Sequence, residues 1–152
     1  MDPAALETYL YEHIPLSKAM AATVAQADVD KVVLHAPLRP NINHRDTVFG
    51  GSASALAILA AWALLYVRLQ HAGIHSRVVI QRNTMRYQQA IPTDFDAVAM
   101  IEDAQRWQRF LHMLARKQRA RISVTATLHC QGVKVGEMVG DFVALATLGV
   151  RA

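Results

Sequence analysis

Residues 41–52 read Asn41-Ile42-Asn43-His44-Arg45-Asp46-Thr47-Val48-Phe49-Gly50-Gly51-Ser52, a polar run ending on two adjacent glycines ahead of an apolar stretch. If that stretch is a helix, its first turn presents N–H groups without intrahelical partners and the positive end of the helix dipole. Glycines there let a ligand approach the backbone closely. Such a site holds a carbonyl oxygen, for instance that of a thioester, and stabilises negative charge developing on it. The Asn43 amide adds a side-chain donor. A purely structural reading stands beside this one: the glycines make a tight loop-to-helix turn and Asn43 caps the loop.

Other chemistries lack their residues. There is no GxSxG elbow, HExxH, CxxC, P-loop or GxGxxG pattern. The seven histidines show no ligand spacing with carboxylates, so no metal site and no resident cofactor are expected. The single cysteine, Cys130, excludes a disulfide framework and a Cys-based zinc cluster, and its place on the apolar face of a strand makes it a core thiol.

The elements that must position the 41–52 run follow from pattern and punctuation. A short helix spans Pro3–Glu12, with Asp2 as N-cap, Pro3 at the first position and Pro15 as its stop. Ala22–Ala27 and Lys31–Ala36 are strands joined at Asp28-Val29-Asp30. Leu38–Phe49 is a loop, and a long helix runs from Gly51 to about His71, ended by Gly73. Arg77–Gln89 is a long strand, with Val79, Gln81, Asn83, Met85 and Tyr87 on one face and Val78, Ile80, Arg82, Thr84 and Arg86 on the other. A turn at Ile91-Pro92-Thr93-Asp94 leads to a strand at Phe95–Ile101. Asp103–Lys117 is an amphipathic helix, with Trp107, Phe110, Leu111 and Leu114 on one stripe. Ala120–Cys130 and Val133–Leu148 are the last strands, turned at Gln131-Gly132. Short connections favour antiparallel pairing, so the fold class is α+β: a curved antiparallel sheet wrapped around one long hydrophobic helix, with one extra amphipathic helix.

The chain has 152 residues, the length of one domain, and reads as a single domain over 1–152. Its hydrophobic content of 53% and charged content of 18% exclude a disordered chain. Thr47–Val67 is uncharged and long enough to span a bilayer, but it is glycine-, serine- and alanine-rich and reads as a buried helix. The acidic N-terminus is unlike a secretory signal, which leads to an expectation of a cytoplasmic protein without membrane association. The net charge of +4 allows an acidic partner.

The run NxNHxxTxFGGS entering an Ala/Leu-rich helix resembles the thioesterase-like hot-dog domain at the C-terminus of YiiD proteins. Met85-Arg86-Tyr87-Gln88-Gln89-Ala90-Ile91-Pro92-Thr93-Asp94 is similar to a strand-turn pattern of hot-dog acyl-thioester enzymes. The resemblance covers essentially the whole chain and implies the stand-alone form, without the acetyltransferase-like domain that YiiD proteins carry. It is a form associated with decarboxylation of malonyl-acyl carrier protein (ACP) to acetyl-ACP, an entry to fatty acid synthesis. It implies a catalytic set of Asn43, Gly50, Gly51 and Thr47, with Asn43 and the glycine N–H groups on the thioester oxygen. Ser52, Thr47 and His44 would meet the malonyl carboxylate, and Phe49 would line the acyl pocket. Asn83, Arg86 and Tyr87 would line the pantetheine path, although Asn83 and Arg86 point to opposite faces of a regular strand. The fold implies a homodimer or dimer of dimers, with sites across the interface.

Two reactions compete. Thioester hydrolysis needs a base or nucleophile, and hot-dog thioesterases place an Asp or Glu on or near the central helix. Here Ser52–His71 holds no carboxylate; Asp46 is nearby, and Glu137 and Asp141 are alternatives. Decarboxylation needs no base, only donors for an enolate and a poorly solvated carboxylate. A non-catalytic acyl-thioester binding module is the third reading. The Arg116-Lys117-Gln118-Arg119-Ala120-Arg121 run would dock acidic ACP, or is a solvated helix end. It lacks the aromatic interleaving of a nucleic-acid surface. The substrate then arrives on the phosphopantetheine of ACP or CoA.

Overall fold

The computed structural model describes residues 1–147. The elements are α1 (Pro3–His13), α2 (Pro15–Ala19), β1 (Thr23–Ala27), β2 (Lys31–Ala36), a 3-10 turn (Arg39–Asn41), α3 (Gly50–His71), β3 (Ser76–Tyr87), β4 (Phe95–Met100), α4 (Ala104–Lys117), β5 (Arg119–Cys130) and β6 (Val133–Ala146). The expected end of the last strand at Leu148 lies outside the described residues. All strand pairs are antiparallel, in one six-stranded sheet ordered β1-β2-β4-β5-β6-β3.

Local chemistry accounts for the ends of these elements. The Asp2 carboxylate accepts from the Ala5 N–H and Asp103 caps α4 through the Gln105 and Arg106 N–H groups. Pro15 ends α1 as expected, but its fixed φ also starts α2 one residue later. Gly73, at φ +70°, closes α3, where its N–H bonds the Gln70 carbonyl and that of Ile74 bonds Leu69. At the β1–β2 turn the Asp28 carboxylate accepts from the Asp30 and Lys31 N–H groups and the Gln26 amide, which hold its pKa below the ordinary carboxylate value.

The core lies between α3 and the inner sheet face. Leu56, Ala57, Ala60, Ala61, Leu64 and Leu65 have no exposed surface, and they meet Val32, Leu34, Ala97, Val124, Ala126 and Phe142. Alanines let the strands come close, and an uncharged helix becomes tolerable because the sheet curves around it. Near the end of α3 the Arg68 guanidinium lies 4.7 Å from the Trp107 ring centroid, tying α3 to α4. Burial pushes the Arg68 pKa down.

One expectation fails in β3. Its register against β6 shifts between Ile80 and Arg82, so Gln81 is an extra residue in a bulge. The alternation flips there: Val78 and Ile80 pack on the core from the same side as Met85, while Val79 is 45% exposed. The outer face carries Arg77, Val79, Arg82, Thr84 and Arg86. The strand is also an edge, paired with β6 on one flank alone.

Candidate functional site

The 41–52 run becomes a loop held at three points. The Phe49 N–H donates to the Asn41 carbonyl at 2.7 Å, and the Val48 N–H to the Ile91 carbonyl at 2.9 Å. The Tyr87 hydroxyl donates to the Gly50 carbonyl at 3.0 Å. The exit of β3 and the turn after it therefore fix where α3 begins.

Phe49 is the N-cap residue of α3, and no side chain caps this helix. The Ala53 N–H reaches the Phe49 carbonyl, whereas the N–H groups of Gly50, Gly51 and Ser52 have no partner among the described residues. Three donors thus stand free at the positive end of a 22-residue helix. The Phe49 ring lies across Gly51, where an added Cβ would stand 2.4 Å from a ring carbon. At Gly50 the same Cβ would meet the Tyr87 ring at 3.4 Å. The glycines leave room for two aromatic rings. Phe49 and Tyr87 are 57% and 58% exposed, so the turn opens on the protein surface.

Asn43 is turned into its own loop. Its Oδ1 accepts from the Arg45 N–H at 2.8 Å and the Thr47 N–H at 3.2 Å, and its Nδ2 donates to Thr47 Oγ1 at 3.0 Å and to the Val48 carbonyl at 3.4 Å. In this conformation Asn43 and Thr47 serve one another, and neither points a spare donor outward. Asp46, the carboxylate nearest the helix start in sequence, sits exposed at the loop tip with φ +61° and makes no ion pair among the described residues. His44 is exposed and Ser52 half-buried.

Asn41, a residue of the run without a role in the sequence pattern, has a structural one. It is 2% exposed, and its Nδ2 donates to the Met20 and Pro37 carbonyls at 2.9 and 2.8 Å. With its carbonyl on Phe49 it anchors the loop to α2 and β2. The signal was present in Pro40-Asn41, a turn pair just ahead of the glycine run.

The remaining candidates separate by face. Tyr87 joins the turn, and Asn83 shares its side of β3 by alternation. Arg86 lies on the outer face beside Thr84, Glu137 and Val139, away from the turn. Glu137 is paired with Lys134 and Asp141 with Arg82, also on that outer face, so neither reaches the turn of its own chain as a base. Arg116, Lys117, Arg119 and Arg121 are exposed, at the opposite end of the sheet from Gly50. Cys130 is buried, with Thr93 Oγ1 3.4 Å away. Among the described residues no three His, Cys, Asp or Glu side chains form a metal cluster.

Towards the other end of α3, Trp62 donates its indole N–H to the Val78 carbonyl at 2.9 Å, and the Trp62 and Tyr66 rings stack with centroids 5.3 Å apart. They line a cavity of ≈ 260 Å³ together with Tyr9, Ser76 and Val78. Ala55, Ile58, Trp62 and Tyr66 form a half-buried stripe on α3. Contacts from Gly50 to Tyr87 and from Trp62 to Val78 show that this stripe runs beneath the free edge of β3.

A family model described as "Putative thioesterase (yiiD_Cterm)" matches residues 3–146. Among solved structures, the chain is similar to a Chlorobaculum tepidum protein of unknown function, at 27% identity over 95% of this chain and 94% of that one, TM-score 0.89. A "probable thioesterase" from Pseudomonas aeruginosa is 21% identical over 96% and 97% of the two chains, TM-score 0.81. A thioesterase from Haemophilus influenzae has the same fold at 9% identity, covering 100% of this chain and 96% of its own, TM-score 0.77.

Proposed function

The chain belongs to the YiiD C-terminal thioesterase-like family, with a hot-dog fold, and from that premise we propose that it decarboxylates malonyl-ACP to acetyl-ACP. The observation that carries this reading is the uncapped start of α3: three free N–H donors and, along the whole helix, no carboxylate. The thioester oxygen sits on the Gly50, Gly51 and Ser52 N–H groups. Carbon–carbon cleavage releases carbon dioxide and places the electron pair on that oxygen as an enolate. The donors are already oriented, so they stabilise the enolate without rearrangement. A proton from solvent then completes the acetyl group.

The neighbouring side chains have supporting tasks. The Ser52 and Thr47 hydroxyls and His44 receive the malonyl carboxylate, and the Phe49 ring excludes water from it, weakening its solvation before cleavage. Asn43 fixes the loop, and supplies a further donor when the loop opens its bond to Val48. Asn83 and Tyr87 border the pantetheine path. Arg86, on the outer face, has no place in it. A second copy along the β3 edge covers the α3 stripe and encloses the turn, because a long bare strand edge above a half-buried apolar stripe is costly to leave in water.

Hydrolysis of acyl-CoA or acyl-ACP is the second reading, favoured by the thioesterase character of the family. It requires a base that the turn does not hold, supplied by the other copy.

Intact-protein mass spectrometry of malonyl-ACP incubated with the protein separates the readings. Acetyl-ACP is the expected product. Free holo-ACP would mean hydrolysis, and an unchanged spectrum would overturn both reactions on this carrier.

A further inference from the structure

Strand register gathers the cations of distant segments at one end of the sheet. Arg77 of β3 and Arg119 of β5 both lie opposite Leu145 of β6. Val79 and Arg121 both lie opposite Val143, and Arg82 and Ser123 both lie opposite Asp141. Residues opposite one another share a face, so Arg77, Arg82, Arg119 and Arg121 form one outer-face patch, extended by Arg116 and Lys117 at the end of α4. Asp141, 3.8 Å from Arg82, is the one acidic partner any of these six residues has among the described residues.

This patch is on the wrong end for its own site. Tyr87, which holds Gly50, lies opposite Gly136, whereas Arg77 lies opposite Leu145. Nine residues of β6 separate the two rows, about 30 Å along the strand. Most of the patch lies far along the strand: the Arg77/Arg119 and Arg121 rows are nine and seven residues of β6 from the Tyr87 row, and Arg82, opposite Asp141, is five away, about 17 Å. Antiparallel pairing of two β3 edges reverses the direction of the second strand. When the pairing is centred near Arg82, it sets the cationic end of one copy beside the Tyr87–Gly50 end of the other, nearer than that copy's own turn, because neighbouring strands are only about 5 Å apart.

We propose that an acidic carrier protein docks on the Arg77/Arg82/Arg116–Arg121 patch of one subunit and delivers its thioester to the Gly50–Gly51 turn of the other. The proposal rests on the reading of the chain as a carrier-thioester enzyme with a β3-paired second copy. The patch spans three strands and a helix end, wider than the phosphates of a free nucleotide and suited to an acidic protein surface. Paired this way, each dimer holds two sites, each assembled from both chains.

The test uses mixed dimers of a wild-type chain and a chain carrying Arg116→Glu, Lys117→Glu, Arg119→Glu and Arg121→Glu, distinguished by mass and purified through two tags. All four residues are exposed and outside the turn, and circular dichroism checks the fold. The probe is ACP whose pantetheine thiol carries a photoreactive acyl group. Labelling is expected mainly on the substituted chain, because the intact patch of its partner feeds its turn. Homodimers of the substituted chain should lose labelling at least tenfold. Labelling mainly on the wild-type chain, equal labelling of both chains, or a monomer in solution would overturn the proposal. So would a coenzyme A photoprobe as sensitive to the four substitutions as the carrier, since the patch would then read phosphate alone. The label reports docking rather than reaction: trans labelling without turnover would remove the decarboxylase reading and leave this one standing.

Discussion

Replacing Asn43 by Asp keeps a side-chain oxygen for the Arg45 and Thr47 N–H groups and removes the amide donor. Replacing it by Ala removes both. If Asn43 only shapes the loop, Asp should retain most of the activity and Ala should lose it; if its amide also meets the thioester oxygen, both should fall. The second outcome is expected, with kcat down by about 10²-fold in each, the usual effect of one oxyanion donor. Comparing kcat for malonyl-ACP between the two variants measures it. Gly51→Ala isolates a different contribution. The backbone there needs no positive φ, and alanine is the better helix former, so the melting temperature should hold or rise slightly. The added methyl, however, occupies the position of the Phe49 ring and must expel it. Turnover should fall at least tenfold at unchanged stability, and an unaltered rate would show that the ring's seat over Gly51 has no part in the reaction.

Elements are held by bonds that sequence patterns reveal unevenly. Tyr87 links the last residue of β3 to the first of α3, so Tyr87→Phe should loosen the start of the helix at a modest cost, about 1 kcal/mol by the usual worth of a hydrogen bond. Faster hydrogen exchange at residues 50–53 would register it. The β1–β2 turn gives a pH test. The folded Asp28 carboxyl titrates below its unfolded value of 3.8, so its stabilisation is present above that value and is lost as pH falls through the lower folded one. Asp28→Asn should therefore lower the melting temperature at neutral pH, and the difference from wild type should shrink on acidification below about pH 4. Helices and strands were legible because their signals are local: Asp2-Pro3, Gly73, the β5 alternation and the amphipathic stripe of α4 all fall where the structure has them. The β3 bulge was not, because Val79 and Ile80 are equally apolar and alternation alone cannot show which one faces inward; the register with β6 decides it. The site was legible as a segment and illegible as a geometry. Asn43 announces a polar role by its type, but whether its amide serves the loop or a ligand depends on Thr47 and Val48 folding back on it.

At the scale of the whole molecule, charge and shape point to different surfaces, and the substrate must use both. The net charge of +4 understates the field, since among the described residues the six cations at the Arg77 end have a single carboxylate partner, while the Phe49–Ser52 turn carries no charged side chain. A field of that kind raises the rate of encounter with an acidic protein and is screened by salt over about 8–10 Å at 0.1–0.15 M. Turnover of malonyl-ACP should therefore be steeply ionic-strength dependent, with kcat/KM falling about tenfold or more between low and physiological salt and kcat changing little. Turnover of malonyl-pantetheine, which lacks the carrier, should be nearly flat over the same range. The four-fold charge reversal at Arg116, Lys117, Arg119 and Arg121 should bring the carrier reaction down to its high-salt value at every salt concentration, leaving malonyl-pantetheine turnover intact. Steady-state kinetics on the two substrates check all three expectations. Equal salt dependence of both would place the charge sensitivity in the chemistry at the helix N-terminus, where the malonyl carboxylate itself is the anion. Docking and catalysis are then one surface, and the cations at the far end of the sheet would serve solubility alone.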